Sequence, residues 1–309
     1  MKGKRVVVTG GAGFIGSNLA SELATSNSVI IIDDLSTGKK ETIVGLINKD
    51  SVSFIQGSIL DLSLLQESFH GVDFVFHLAA IPSVLRSTED PLASHQVNIT
   101  GTLNVLLAAK DNKVKKVIYS SSSSVYGDIH ILPKKENLLP CPQSPYAVTK
   151  LCGEYYCQVF QQVYGLNTVC LRYFNIYGLR QDPNSEYAAV IPRFISRTLE
   201  GNPPIIFGDG EQTRDFTFVK DAVEANILAA ESDATGIFNI GFGNRISIND
   251  LAKLITRLLA KGTKPIYQEP RPGDIRHSLA DISKARQIGY NPKYSLEQGL
   301  KETIRVWHQ

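Results

Sequence analysis

The feature that most constrains this chain is a short β-branched run that breaks into glycines. Arg5-Val6-Val7-Val8 reads as a buried parallel strand and leads directly into Thr9-Gly10-Gly11-Ala12-Gly13-Phe14-Ile15-Gly16, after which Leu19 and Leu23 mark a helical period. Gly10, Gly13 and Gly16 stand at GxxGxxG spacing. Such glycines let the strand turn sharply, let the backbone approach a pyrophosphate, and let the next helix pack on the strand. The free N–H groups at the helix start then face the phosphate charge. A glycine triad alone is weak evidence. Here a second strand, Val29-Ile30-Ile31-Ile32, ends in Asp33 about twenty residues on, where a carboxylate accepts hydrogen bonds from ribose hydroxyls and repels a 2′-phosphate. The reading is an α/β fold, a doubly wound parallel sheet of the Rossmann kind that binds NAD rather than NADP.

The alternation continues. Ser51 to Ile55 reads as a strand, with Asp61 capping the helix of Leu64, Leu65 and Phe69. Asp73 to Phe76 is another strand and ends His77-Leu78-Ala79-Ala80, small residues that let backbone line the dinucleotide. His77 has no partner at metal-ligand spacing and reads as a structural histidine. Asp90-Pro91 starts a helix expected to run through Val97, Thr100, Leu103, Leu106 and Leu107. Val117-Ile118-Tyr119 is the fifth strand, with the run Ser120 to Ser124 at its C-terminal end, where open parallel sheets bind ligands. A long helix follows from Pro145 to Tyr164, then a strand from Asn167 to Leu171. After Arg172, proline and glycine become frequent and elements shorten. The expected division is a dinucleotide-binding domain at 1–172 and a smaller C-terminal α/β substrate lobe at 173–309, with one strand near 235–241 returning to the main sheet. Ser247 to Leu259 and Ser295 to Trp307 read as helices, and Arg271-Pro272-Gly273-Asp274 as a loop.

Composition sets outer bounds. The 309 residues are 43% hydrophobic and 20% charged, which excludes a largely disordered chain, and a net charge of +2 gives no footing for nucleic acid as a bulk partner. No apolar run reaches the roughly 18 residues that suggest a membrane span, and the N-terminus enters a strand almost at once. A cytoplasmic protein without membrane contact or signal peptide is expected. Cys141, Cys152, Cys157 and Cys170 lack metal-ligand spacing and read as free thiols; no metal is expected.

Tyr146 and Lys150 lie four apart, so on a helix they share one face. By itself such a pair describes a solvated surface. Beside a nucleotide-binding turn and a serine-rich strand end it describes a general base. A phenol titrates near ~10, and reaching ~7 takes roughly 4 kcal/mol of preferential stabilisation of the phenolate, which a nearby ammonium and a positively charged nicotinamide would favour.

Taken together, these residues resemble the extended short-chain dehydrogenase/reductase family over nearly the whole chain, and within it the UDP-hexose 4-epimerases. The carriers are the glycine turn, Asp33, the Ser122 neighbourhood, Tyr146-x-x-x-Lys150, Leu171-Arg172-Tyr173-Phe174-Asn175, Phe207-Gly208-Asp209-Gly210, Thr213-Arg214-Asp215-Phe216 and Arg271-Pro272-Gly273-Asp274. The resemblance implies that Ser122 hydrogen-bonds the sugar 4-oxygen, Tyr146 is the base, and Lys150 holds the nicotinamide ribose and lowers the tyrosine pKa. Asn175 would contact the pyrophosphate and sugar, Phe207 the uracil, and Arg214 and Arg271 the diphosphate. It adds Phe14, Ile15, Ser58, Ile59, Leu78, Ala79, Ala80 and Asn98 to the cofactor contacts. To the substrate contacts it adds Ser83, Ser123, Ser124, Ala189, Val190 and Asp274.

Two departures matter. Gly57-Ser58-Ile59 stands where many relatives have Gly-Asp-Ile, with serine left to reach the adenine. The Asp-Glu pair that dTDP-glucose dehydratases carry in the serine segment is serine here, which argues against dehydration. Ser278 occupies the position that faces the sugar 2-substituent, where a tyrosine would restrict the site to unsubstituted hexoses. Tyr187-Ala188-Ala189-Val190-Ile191-Pro192 and the Ser144 to Lys150 segment also resemble the branch acting on N-acetylated sugars. The resemblance thus implies interconversion of UDP-N-acetylglucosamine and UDP-N-acetylgalactosamine through a 4-keto intermediate, with UDP-glucose and UDP-galactose as further substrates, in a homodimer. The alternatives are a UDP-uronate epimerase or decarboxylase, or a non-catalytic NAD-binding regulator.

Overall fold

A computed structural model of the chain describes residues 1–183, 189–270 and 275–307. The expectations placed on Tyr187, Ala188 and the Arg271 to Asp274 loop lie outside the described residues. Seven apolar runs pair into one all-parallel sheet: β1 (Arg5–Thr9), β2 (Ser28–Asp33), β3 (Val52–Gln56), β4 (Phe74–His77), β5 (Lys116–Ser122), β6 (Thr168–Tyr173) and β7 (Gly236–Ile240). From one edge to the other they run β7, β6, β5, β4, β1, β2, β3. The direction of winding reverses between β1 and β4, so a crevice opens there at the C-terminal strand ends. Val6 and Val8 join the apolar cluster on one face and Val7 the cluster on the other. Both faces are covered, which is why the strands are apolar throughout instead of alternating.

Helices follow from local chemistry. Helix α1 (Phe14–Leu23) opens behind the glycine turn, and in α2 (Leu62–Ser68) the Asp61 carboxylate accepts from Leu64 N at 3.0 Å. The single helix expected from Asp90 is three joined pieces: an α turn at Pro91–His95, a π-helical stretch at Gln96–Thr100, and α3 (Gly101–Asp111). Helix α4 (Pro145–Tyr164) has the bounds read from the sequence. Ser144 caps it, Pro145 sits in the first turn, and Gly165 at φ 70° ends it. The serine run differs from expectation, because Ser120, Ser121 and Ser122 lie inside β5, and Ser123–Tyr126 form a 3-10 turn beyond it.

After β6 come small paired strands. Ile176–Tyr177 pairs with Thr217–Phe218, Ile205–Phe207 with Ile266–Gln268, and Thr213–Arg214 with Ile246–Ser247. With α5 (Val190–Leu199), α7 (Ile248–Leu258) and α8 (Leu296–Trp307) they enclose a third apolar cluster that includes Tyr177, Phe194, Phe218, Leu251 and Leu300. Helix α6 (Val219–Glu231) bridges the two parts: Val219 packs in the lobe cluster, Val223, Ala225 and Ala229 against the main sheet. Among the described residues no helix is long and apolar enough to cross a membrane.

Helix α4 crosses β5 at Gly153, where a Cβ would overlap the Tyr119 hydroxyl and ring. Gly153→Ala should therefore lower the free energy of unfolding by about 1–3 kcal/mol. Denaturant titration measures this, and an unchanged midpoint would mean that the helix does not depend on lying so close.

Candidate active site

The crevice beside β1 is shaped for a dinucleotide. Gly10, at φ 69°, lies so near the loop after β4 that a Cβ would stand 2.6 Å from Ala79 N, and a Cβ on Gly16 would overlap Gly10 O. Gly13 caps α1 with no side chain, leaving the N–H groups of Phe14 and Ile15 at the helix start for an anion. Leu78 N donates to Thr9 O at 3.1 Å, fixing the Leu78-Ala79-Ala80 backbone along the crevice. At the end of β2 the buried Asp33 carboxylate accepts from Ala12 N and Leu35 N, each at 2.9 Å. Burial raises its pKa above the ordinary aspartate value, against the pull of those two donors. The cradle and the carboxylate fit a pyrophosphate followed by a ribose. Ser58 Oγ accepts from Leu60 N at 3.2 Å, and its proton is left for a further acceptor. Ile59 is buried beneath Gly101.

Asn98 acts from behind this wall. Its Oδ1 accepts from Ile81 N at 2.8 Å, and its Nδ2 donates to Ile81 O at 3.2 Å and Thr149 Oγ1 at 3.0 Å. The wide π-helical turn thus ties the loop after β4 to α4, one residue before Lys150. His77 is a satisfied core residue: Nδ1 pairs with Thr9 Oγ1 at 2.8 Å and Nε2 with Thr102 Oγ1 at 2.9 Å. Burial, aided by the Lys150 charge, pushes its pKa down to about 3, so it stays neutral.

The three residues expected to react come together at the end of β5. Lys150 Nζ is buried, donates to Ser120 O at 2.8 Å, and lies 5.9 Å from the Tyr146 ring centroid and 5.1 Å from that of Tyr119. Ser122 Oγ accepts from Ser124 N at 3.1 Å and from Ser124 Oγ at 2.9 Å, which leaves the Ser122 proton free to donate. That hydroxyl lies within hydrogen-bonding reach of the Tyr146 phenol. Burial pushes Tyr146 up to about 12, with Ser122 pulling the other way, and pushes Lys150 down to about 8, with Glu154 opposing. The expected lowering of the tyrosine by its lysine is not found in the protein by itself, where burial dominates and Ser122 alone pulls downward. Bringing that pKa near neutral pH therefore takes more stabilisation of the phenolate than an unperturbed phenol would need.

Asn175, Ala189, Val190, Phe207 and Arg214 come together around a cavity of about 240 Å³. A neighbouring cavity of about 460 Å³ shares Ala189, Val190 and Phe207 and reaches Ser83, which caps the Val84–Glu89 helix by accepting from Arg86 N. Asn175, at φ 37°, donates from Nδ2 to Asp215 O at 3.2 Å. Arg214 Nη1 donates to Thr213 O at 3.0 Å. Ser278 is buried, with its N–H on Thr213 O at 3.1 Å, next to Arg214 in sequence. Arg271 and Asp274 lie outside the described residues.

Two neighbours escaped sequence reasoning, Asp215 inside a quoted motif and Gln212 just before it. Asp215 accepts from Phe242 N, Gly243 N and Ala280 N, pinning the backbone that presents Arg214, and burial pushes it up to about 6. Gln212 lines the smaller cavity and holds Phe207 O through Nε2 at 2.7 Å. For Asp215 position within the motif was a signal; Gln212 stands outside the quoted motifs.

The sequence pattern of the NAD dependent epimerase/dehydratase family matches residues 6–241. A putative UDP-glucose 4-epimerase of Methanocaldococcus jannaschii is 39% identical over 302 residues, 97% of each chain. A UDP-N-acetyl-alpha-D-glucosaminuronate decarboxylase of Bacillus cytotoxicus is 39% identical, over 99% of this chain and 98% of its own. Among solved structures, the UDP-N-acetylglucosamine 4-epimerase from Methanobrevibacter ruminantium M1, in complex with UDP-N-acetylmuramic acid, has a TM-score of 0.97 and 47% identity, covering 100% of this chain and 99% of that one.

Asp33→Ala should weaken NAD binding about 10- to 100-fold, the worth of a charge-assisted hydrogen bond or two, and narrow the preference over NADP. Titration calorimetry with both dinucleotides checks this; unaltered affinity would remove Asp33 from the site.

Proposed function

The chain belongs to the NAD dependent epimerase/dehydratase family, and from that membership we propose that it is a nucleotide-sugar 4-epimerase. Its substrates are UDP-N-acetylglucosamine and UDP-N-acetylgalactosamine, with UDP-glucose and UDP-galactose also accepted. The observation that carries this reading is the meeting of the Tyr146 phenol, the Lys150 ammonium and the Ser122 hydroxyl at the end of β5, beside the glycine cradle.

Ser122 donates its free proton to the sugar 4-oxygen, and Tyr146 takes the 4-hydroxyl proton. Held at the glycine cradle and Asp33, NAD would supply hydride acceptance and return at C4, and its ring charge would favour the phenolate. Lys150, held by Ser120 O, keeps a positive charge beside Tyr146 through the proton transfer. The 4-keto sugar turns about its diphosphate link before it is reduced on the other face, so the nucleotide must be gripped while the sugar is loose. Arg214 and Arg271 grip the diphosphate, which guanidinium forks suit. Asn175 holds the pyrophosphate end and Phe207 the uracil.

The N-acetyl preference is supported by the short Ser278 side chain beside the Thr213-Arg214 strand. It is also supported by the 47% identity to a UDP-N-acetylglucosamine 4-epimerase. The similar decarboxylase favours a second reading, loss of a C6 carboxylate from a UDP-uronate; the product masses separate the two. We place the enzyme in the cytoplasm as a homodimer. The dimer is supported by Val148, Tyr155, Val159 and Val163, which α4 leaves exposed.

Tyr146→Phe should lower kcat by about 100-fold or more without loss of NAD binding; a variant as fast as the parent would end this reading. Ser278→Tyr should remove turnover of the acetylated pair and spare UDP-glucose, measured by resolving products from each UDP-sugar. Equal loss on both pairs would reject the pocket argument.

A further inference from the structure

One helical turn beyond Lys150, Glu154 comes round to the same face of α4 and is enclosed, 2% exposed. It meets Arg172 of β6 in a two-pronged pair, Nε to Oε1 at 2.8 Å and Nη2 to Oε2 at 2.7 Å. Ser121, next to Ser122 on β5, also donates its hydroxyl to Oε1. On its far side the Arg172 guanidinium lies over the Tyr126 ring, 4.6 Å from the centroid. Tyr126 closes the turn that carries Ser124, and its hydroxyl donates to Asn239 Oδ1 of β7 at 2.7 Å. One ion pair therefore touches the helix of Tyr146, the strand of Ser122 and the turn behind both. Burying such a pair is costly, and apolar residues of equal volume often stabilise a fold as well or better, so stability is a poor account of it.

We propose that Glu154 and Arg172 are positioning residues for the reaction, fixing the Ser122 strand against the Tyr146 helix and setting how firmly Lys150 holds its positive charge. The groups around Lys150 come from four elements. Tyr146 and Glu154 share its helix, and Cys157 lies further along it. Tyr119 and the Ser120 carbonyl face it from β5, and neutral His77 from β4. Arg172 and the Cys170 thiol of β6 stand behind them, Arg172 acting through Glu154. Of these, Glu154 is the anion that opposes the desolvation of Lys150. Remove its charge, and Arg172 remains as a second buried cation, so Lys150 gives up its proton at lower pH. Remove Arg172 instead, and a bare carboxylate remains, so Lys150 keeps its proton to higher pH. The two changes act with opposite sign, which a scaffold role would not produce.

This inference rests on Tyr146 and Lys150 being the reacting pair, which Tyr146→Phe tests separately. The experiment records kcat against pH for the NAD-loaded enzyme with UDP-N-acetylglucosamine and with UDP-glucose. In the parent the alkaline limb is expected near the Lys150 value of about 8. Glu154→Gln should move it down by about one pH unit and Arg172→Met up by about as much, with the double variant returning close to the parent. Arg172→Lys, which keeps the charge and loses the fork, should leave the limb in place and lower kcat. If one single variant fails to fold, the shift in the other single and its cancellation in the charge-balanced double carry the test. For Glu154→Gln and Arg172→Met, a limb that stays put, with or without loss of activity, or that moves the same way in both, overturns the proposal. If Tyr146→Phe is inactive while these limbs do not move, the reaction stands and the positioning role falls.

Discussion

The groups that matter here depend on how closely helix α4 lies along strand β5. The strand brings the Ser120 carbonyl, Ser121 and Ser122, and the helix brings Tyr146, Lys150 and Glu154, each one turn after the last. Gly153 allows the approach by presenting no side chain to Tyr119. Because the helical stripe and the strand run past one another, three contacts fall in sequence: phenol to Ser122, ammonium to Ser120 O, and carboxylate to Ser121. A change of spacing at one of them would be felt at the others, since protein interiors do not yield continuously.

The same closeness sets the electrostatics. Excluding water raises the phenol and lowers the amine, so the protein by itself holds the proton on Tyr146. Low dielectric also strengthens any charge brought into the site, so a cationic cofactor ring there acts far more strongly than it would in water. The two candidate regions offer different surroundings. The cavity walled by Asn175, Phe207 and Arg214 belongs to the lobe, while Ser122, Tyr146 and Lys150 belong to β5 and α4. A division of this kind lets one end of a substrate be held while the other turns.

What could be read in advance follows from where each signal is stored. The glycine turn, the end of β2 at Asp33 and the bounds of α4 were legible because each rests on neighbours in sequence: a φ that glycine permits, an apolar run, a cap and a stop. The π-helical stretch at Gln96–Thr100 was not legible, since its cause is Asn98 reaching Ile81 and Thr149, residues far away in the chain. The serine run was set outside the strand for a similar reason. Serine favours loops when judged locally, yet β6 pairs with Ser120, Ser121 and Ser122 and draws them into the sheet.

The sequence by itself determined the class of fold and the cofactor, and it singled out Ser122, Tyr146 and Lys150 as the residues proposed for the chemistry, because backbone geometry and chemical type are carried by short stretches of chain. Only the tertiary structure decided the protonation preferred by Tyr146 and Lys150 and the partnership of Glu154 with Arg172. Those are consequences of desolvation and of distances between strands, and both arise only once the chain has closed around them.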